Sequence, residues 1–436
     1  MKKNIKYSVV SAAVSLFLSN QAGAANTWSE ARNDAMGGTG VASANYGSAV
    51  FINPALLAKS KADDDVSVVI PSVGAQITDK DNLRDQIDDI SNEIDNYRSV
   101  LDNITPAQIL TNPTATLNQF QNAAGDLATQ MDDLRGKTAR GNAGAGIAVS
   151  VPTSAVSLAF VTKAYAHAVA SSSIDQNDID YLRHIQNSTA FAASQAGMAV
   201  LNGSDEITNN LNSTASGRAA VVSDYGVAIA RKFDIGGVPV SLGVTPKLQQ
   251  TWLYNYTTSI DNYHSNDWKK SKYRNDDTGF NVDAGIAADF GDNWTVGLSG
   301  QNLMSRDIDT KDVRITNGET GVVTNYKDTY QIRPLVTAGV AWHTDLLTLS
   351  ADGDLTETKG FKSEDNSQYV GVGAEVTPLS WLAVRAGYRA DMKGNDSNVF
   401  TAGVGFAPLN TVHVDLTGLY GQNETWGAGA QLTLTF

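Results

Sequence analysis

Residues 425–436 read TWGAGAQLTLTF, and this stretch decides the fold. Every second residue in it is apolar, and the residues between are small or polar. The apolar set is Trp426, Ala428, Ala430, Leu432, Leu434 and Phe436. A period of two places these side chains on one face of an extended strand. The stretch therefore predicts a β-strand with one apolar and one polar face.

An aromatic residue at the carboxy terminus of such a strand is typical of one class of protein. Leu432, Leu434 and Phe436 resemble the insertion signal that outer-membrane β-barrels present to their assembly machinery. The alternative is that this stretch is the last strand of a soluble β-sandwich. The remainder of the chain has to distinguish the two.

The amino terminus predicts export. Lysines are followed by a run of apolar and small residues at 9–18, and 22–24 reads Ala-Gly-Ala, a small-x-small cleavage site. We interpret 1–24 as a cleaved secretory signal peptide, because the apolar run is too short for a spanning helix. The chain has no cysteine, which excludes disulfides, thiol catalysis and a lipid-modified cysteine anchor. Since no later segment has the roughly 18 consecutive apolar residues of a spanning helix, a mature chain that enters a membrane must do so as a closed barrel.

Alternating apolar and polar residues recur along most of the chain. Short, turn-rich connections between these segments alternate with long ones. An even number of strands with alternating short and long connections is typical of a transmembrane β-barrel whose short turns face the periplasm. We therefore predict an all-β fold, a 14-stranded antiparallel transmembrane β-barrel over residues 65–436. The predicted strands are 65–78, 140–152, 155–170, 218–233, 238–256, 280–290, 294–304, 328–343, 347–352, 367–377, 382–390, 397–407, 412–417 and 424–436.

A second signature lies upstream of the first strand. Residues 31–56 read ARNDAMGGTGVASANYGSAVFINPAL, a glycine-rich segment, then small residues, then Asn-Pro-Ala-Leu. This order resembles the start of mature proteins in the FadL-like superfamily of outer-membrane barrels, and within it most resembles the TraF-type conjugal-transfer branch. The resemblance implies fourteen strands and an amino-terminal hatch, so residues 25–64 are expected to plug the lumen. The alternative is a flexible periplasmic leader that packs against nothing.

The composition of this segment suits a plug. Gly37 and Gly38 permit positive φ and close backbone approach. Asn53 before Pro54 favours a turn, and Pro54 can open a short helix that continues through Ala55. These five residues are the predicted plug motif.

Charged residues are expected in the lumen if the apolar faces meet lipid. The principal candidates are Asp283, Arg333, Glu375, Arg385 and Arg389. The resemblance implies fatty acids or other hydrophobic ligands, but charges of both signs favour a hydrated network that holds wall and plug together. Arg385 and Arg389 lie on one strand face, where they could clamp an anion. The favoured alternative is pairing with Glu375 on the adjacent strand.

Two long connections are expected on the extracellular side. In the 79–139 insertion, apolar residues recur every three or four positions in two stretches, which predicts an antiparallel helical hairpin. It either caps the barrel mouth or offers a surface to a partner such as a pilus or recipient-cell component. The second connection, 171–217, is predicted to be a long loop that contains a helix.

Sequence motifs for catalysis are weak. The 5 histidines show no spacing typical of metal ligands, and we expect no catalytic residue, cofactor or metal. A net charge of -14 without a basic patch argues against direct nucleic-acid binding. The expected partners are outer-membrane lipid, the barrel-assembly machinery, and a small-molecule ligand or conjugation and pilus proteins. The favoured function is a passive channel for a small molecule, with hydrophobic molecules among the candidates. The alternative is a TraF-type component of a conjugal-transfer or pilus-assembly system that acts through its extracellular loops.

Overall fold

The structure is a computed structural model that describes residues 30–60, 66–79, 81–153, 155–203, 211–259, 270–316, 321–408 and 411–436. The predicted signal peptide at 1–24 lies outside these residues, as do both ends of the predicted 25–64 plug. Eighteen strands are described. They are β1 (Ser67–Thr78), β2 (Thr138–Val151), β3 (Ser157–Ser173), β4 (Thr214–Ile235), β5 (Val238–Ser259), β6 (Arg274–Phe290), β7 (Trp294–Gln301), β8 (Arg306–Asp309), β9 (Val313–Thr316), β10 (Val323–Tyr326), β11 (Thr329–Ile332), β12 (Leu335–His343), β13 (Leu347–Asp354), β14 (Tyr369–Leu379), β15 (Leu382–Asp391), β16 (Val399–Phe406), β17 (Val412–Gly421) and β18 (Thr425–Thr435).

Fourteen of these strands, β1–β7 and β12–β18, form a closed antiparallel barrel, as predicted. Each strand pairs with its neighbours in sequence, and β1 pairs with β18 to close the sheet. Ser67 lies opposite Thr435, and the Phe436 N–H donates to the Val66 carbonyl at 3.0 Å. Closure leaves no unpaired edge in the sheet, which a barrel in lipid requires.

The two faces of the barrel differ as the alternation predicts. Large apolar side chains such as Val372, Phe400 and Trp426 are exposed on the outside. Polar side chains such as Gln431 and Thr417 are buried in the lumen. An outer apolar face and a polar interior are typical of barrels that cross a membrane. Among the described helices, none combines the length and apolar character that a membrane span would need.

The prediction of one strand over 328–343 is wrong in its first part. β11 leaves the barrel and pairs with β8, and the barrel strand β12 begins only at Leu335. Pro334 stands between them; proline has no N–H to donate to a sheet, so it breaks the strand. Arg333 therefore lies outside the barrel wall, where it pairs with Asp307, and the prediction that it is a lumen charge is wrong.

The 79–139 insertion forms three helices instead of the predicted two. They are α2 (Leu83–Asp102), α3 (Pro106–Thr111) and α4 (Pro113–Asp133), and a short α1 (Ala31–Asp34) precedes them in the chain. The short α3 begins with a capping box in which Thr105 and Gln108 exchange hydrogen bonds. It lies in the connection between α2 and α4.

The apolar stripes of α2 and α4 are buried, and the ring centroids of Tyr97 and Phe120 lie 5.8 Å apart. These two stripes pack against each other and also against further helices. Two helices from the second long connection, α5 (Gln176–Asn187) and α6 (Thr189–Asn202), share the same apolar core. The two insertions therefore form one helical layer at the end of the barrel opposite the short turns.

Candidate functional site

The amino-terminal segment lies inside the barrel. It contains α1 and two 3₁₀ helices, Ala49–Phe51 and Pro54–Lys59, and most of its residues are buried. The Asp352 carboxylate on β13 accepts the backbone N–H groups of Gly40 and Val41 at 2.6 and 2.8 Å. Hydrogen bonds to several strands of the wall hold the segment across the lumen.

The plug motif adopts the conformations that its residues favour. Gly37 and Gly38 have φ of 73° and 78°, where a side chain would be strained. The Asn53 side chain accepts from the Ala55 N–H at 3.1 Å, and Pro54 is the first residue of the 3₁₀ helix that follows. The same Asn53 amide donates to the Val41 carbonyl at 2.7 Å, which ties the two halves of the segment together.

A belt of glycines on the inner wall faces this segment, and sequence reasoning did not identify it. At each belt position an added Cβ would lie within 3.0 Å of a plug atom. At Gly373, for example, it would lie 2.5 Å from the Met36 Cβ. The signal was present as glycine at inward positions of successive strands. The belt consists of Gly243, Gly285, Gly297, Gly339, Gly371, Gly373, Gly387 and Gly403.

A chain of buried charges joins the plug to the wall. Arg32 on α1 donates to both oxygens of Glu375 on β14, at 2.9 and 2.8 Å. Glu375 also accepts from Arg385 at 2.6 Å, and Arg385 reaches Asp415 at 2.5 Å. Pairing with Glu375 is thus what the structure shows for Arg385, in place of an anion clamp with Arg389.

A second buried cluster lies on the opposite wall. Lys247 on β5 pairs with Asp224 and Asp283 at 2.8 and 2.9 Å. Lys163 on β3 donates to the Gln301 side chain at 3.0 Å and approaches the Phe51 carbonyl of the plug at 3.5 Å. Asp283 therefore lies in the lumen, in a network that is neutralised internally.

The long connection between β13 and β14, residues 355–368, folds over the mouth of the barrel; we call it the mouth loop. Phe361 on this loop is 1% exposed and packs edge-on against Tyr330 at 5.2 Å between ring centroids. The Glu364 carboxylate lies 2.8 Å from the His167 Nε2 and 3.5 Å from the Arg140 Nε. Its side chain is 7% exposed, so these contacts hold the loop from inside.

Acidification should release the mouth loop. Burial raises the pKa of Glu364, but the attraction of His167, Arg140 and Arg218 outweighs it and holds the pKa below the usual 4.5. A lowered folded-state pKa contributes stability that is fully present above 4.5 and is lost as the pH falls through the lowered value. We expect a spin label at Lys362→Cys to become more mobile below pH 4.5.

Glu364→Gln is the matched control for this prediction, since it keeps the shape and removes the charge. The label should then be mobile at neutral pH and should not respond to acid. Equal mobility of the label in the unaltered loop at neutral and acidic pH would contradict the assignment of Glu364 as the anchor.

Two small cavities lie one below the other between the mouth loop and the plug. The upper one has a volume of about 90 Å³ and is bounded by strands β2 and β3, the mouth loop and Asp396. The lower one has a volume of about 50 Å³ and lies between the plug glycines Gly37 and Gly38 and the wall. Tyr369 and Arg389 line both cavities, so the two adjoin at these side chains.

The predicted insertion signal lies at the closing seam. Leu434 pairs with Val68 on β1 and with Val412 on β17, and Phe436 is 62% exposed. Leu432 is half-buried on the same strand. This placement presents the apolar face of the last strand at the barrel surface.

Comparisons with known proteins identify a family and two solved barrels of similar fold. Residues 50–354 match the family described as "F plasmid transfer operon, TraF, protein". No curated protein matches the chain. The toluene transporter TbuX of Ralstonia pickettii has a TM-score of 0.50 and 11% identity, covering 94% of this chain and 98% of TbuX. The CymD monoaromatic hydrocarbon channel has a TM-score of 0.51 and 10% identity, covering 95% of this chain and 99% of CymD.

At these identities the likeness to solved structures establishes the fold, while the family match covers most of the chain and includes the helical layer. The chain forms a closed 14-stranded barrel, and it belongs to the TraF family of the F plasmid transfer operon.

Proposed function

We propose that this protein is a passive outer-membrane channel for a small molecule, which binds at the barrel mouth and passes between the plug and the wall. The observation that carries this proposal is the pair of adjoining cavities, which extends from the mouth loop down to the plug glycines. The similar solved barrels are described as a toluene transporter and a monoaromatic hydrocarbon channel, which supports transport in place of catalysis.

We also propose how the protein is exported and inserted into the outer membrane. Residues 1–24 direct export and are removed, and the apolar face of β18 with Phe436 is read by the barrel-assembly machinery. The outer apolar face then contacts lipid. Within the described residues no group of three His, Asp or Glu side chains is arranged to hold a metal ion, and the proposed transport requires no cofactor.

A second candidate is a role in conjugal transfer, and the family match favours it. In that case the helical layer of α2–α6 would contact pilus or recipient-cell proteins. The apolar core of the layer is satisfied internally by Tyr97, Phe120 and their neighbours, so its structure alone also suits a simple cap. Contact with nucleic acid is not part of either proposal.

One experiment separates the two candidates. Residues 83–133, which contain α2–α4, are replaced by a short Gly-Ser linker, and cells are assayed in parallel for solute uptake and for mating. We expect cells that lack the protein to take up less solute than cells that contain it. We expect cells with the replacement to mate at the normal frequency. A control variant that lacks only α3 tests the consequences of altering the loop without removing its apolar core.

Loss of mating with normal uptake would contradict the channel as the principal function. Heat-modifiable migration on a gel confirms that each variant still forms a barrel, because a folded barrel and its unfolded chain migrate differently. A cell without the protein that takes up every tested solute at the normal rate would also refute the channel proposal.

A further inference from the structure

We propose that the two adjoining cavities bind a small zwitterion, with its carboxylate on Arg389 and its ammonium group on Asp352 and Asp354. This inference rests on the proposed channel function and names the class of solute. It departs from the hydrocarbons that the similar barrels are described as carrying.

Arg389 is a buried cation without a carboxylate partner among the described residues. It is 7% exposed, one terminal nitrogen donates to the Gln76 side chain at 2.8 Å, and its guanidinium lies 5.1 Å from the Tyr369 ring centroid. Its Nε has no hydrogen-bond partner within the described part of the chain. A buried charge is costly unless it is paired, and a guanidinium suits a carboxylate bidentately.

The other buried arginines of the lumen show what Arg389 lacks. Arg32 and Arg385 each lie within hydrogen-bonding distance of Glu375, at 2.8 and 2.6 Å. These ion pairs neutralise the plug-to-wall contact. Arg389 is on the same strand as Arg385 and lines both cavities. Among the described residues its guanidinium contacts the Gln76 side-chain amide and the Tyr369 ring. Its position therefore suits a ligand anion.

Two carboxylates complement Arg389 at the lower cavity. Asp352 is 7% exposed; its Oδ2 accepts the Gly40 and Val41 N–H groups, while its Oδ1 has no partner among the described residues. Asp354 accepts from the Thr337 hydroxyl at 2.7 Å and from the Tyr369 N–H at 3.1 Å. Neither forms an ion pair with a described residue, although both line the cavity with Arg389.

Opposite charges that line one cavity without pairing to each other complement a ligand that carries both signs. A bound hydrocarbon would remove water from Arg389, Asp352 and Asp354 without forming hydrogen bonds to them, which is unfavourable. A multiply charged anion would meet repulsion from Asp352 and Asp354. The small volumes of the two cavities, about 90 and 50 Å³, favour a small ligand. A molecule the size of a small amino acid satisfies all these conditions.

The test uses the full barrel purified in detergent and four probes of similar size. They are alanine, propionate, which lacks the ammonium group, ethylamine, which lacks the carboxylate, and toluene. Calorimetric titration should show that alanine binds more tightly than the other three. Arg389→Gln should weaken alanine binding by roughly tenfold to a hundredfold, the effect of losing a hydrogen bond to a charged group. Arg389→Lys, which keeps the charge, should restore part of it.

Asp352→Asn provides a readout that a purely structural role would not change. The amide oxygen can still accept from the plug backbone, but the other oxygen becomes an NH₂ donor. Alanine should then lose its advantage over propionate. Arg231→Gln is the matched control, because Arg231 is exposed near the short-turn end of β4, and it should leave all four affinities unchanged.

The outcomes separate this inference from the channel proposal. Toluene that binds more tightly than alanine, with an affinity unaffected by Arg389→Gln, would overturn the zwitterion and leave the channel intact. Weaker binding of alanine and propionate in equal measure in Asp352→Asn would also overturn it. Liposomes containing the barrel that admit none of the four probes would contradict the channel, whatever the binding results.

Discussion

Gly387→Val should drive the plug out of the barrel. An added Cβ at this position meets the backbone nitrogen of Gly37 and the carbonyl carbon of Met36 inside 3.0 Å. Backbone atoms cannot rotate away as the end of a flexible side chain can. Gly37 is also held at a φ of 73°, with its own Cβ position 2.6 Å from wall carbonyls, so it has no room to retreat. Overpacking of this kind costs about 1–3 kcal/mol or more.

The absence of cysteine makes the displacement measurable. Ser48 in the plug is buried, and Ser48→Cys introduces a single, nearly isosteric thiol. We expect this thiol to resist maleimide in the otherwise unaltered barrel and to react roughly tenfold faster or more with Gly387→Val, since reaction requires an accessible thiolate. Single-channel conductance should rise with the same substitution.

Gly353→Val is the matched control. Gly353 lies on β13 between the inward-facing Asp352 and Asp354, and an added Cβ there meets nothing within 4 Å. It should leave both the labelling rate and the conductance unchanged. Rapid labelling of Ser48→Cys in the control, or slow labelling with Gly387→Val, would show that the glycine belt does not hold the plug.

Arg32→Ala should weaken the plug by about 3–5 kcal/mol, the cost of breaking a buried ion pair by removing one partner. Both Glu375 oxygens lose a donor, at 2.9 and 2.8 Å. The Ser43 carbonyl also loses its hydrogen bond from Arg32 at 2.8 Å. The opening free energy can be obtained from the labelling rate of Ser48→Cys relative to that of the unfolded chain.

Two further variants define the origin of this effect. Arg32→Lys keeps the charge but not the bidentate geometry, so its labelling rate should fall between those of Arg32 and Arg32→Ala. Arg183→Ala removes an exposed contact with Asp132 at 4.0 Å, and it should cost only about 0–1 kcal/mol. If Arg32→Ala labels no faster than Arg183→Ala, the ionic chain does not anchor the plug.

The strands of the barrel wall were predictable because the alternation that marks each strand lies within a short stretch of sequence. A strand that faces lipid on one side and water on the other must alternate, and this alternation identified all fourteen strands. The observed β6 begins six residues before its predicted start at 280, and β12 begins seven residues after its predicted start at 328. The error at 328–343 has a local cause as well. Pro334 was visible in the sequence, but the apolar and polar alternation continues across it into Ile332 and Tyr330, so the period alone gave no warning.

The interior of the barrel was less predictable, because its contacts join residues that are remote in sequence. Asp283, Glu375, Arg385 and Arg389 could be assigned to the lumen from strand phase. Arg32 and Glu375 form an ion pair, and Arg389 forms none with a described residue; both facts depend on the path of the plug across many strands. Similarly, the apolar stripes of α2 and α4 were visible, but their shared core with α5 and α6 was not.

The glycine belt has a consequence for how the molecule is made. Glycine contributes no side chain to fill the lumen, so without the plug the barrel at the level of Gly373 and Gly387 would be filled by water. The plug directly precedes β1 in the chain, and β1 is one side of the seam that β18 closes. We therefore expect an order of assembly in which the amino-terminal segment folds in the lumen first, and β1 and β18 then pair around it.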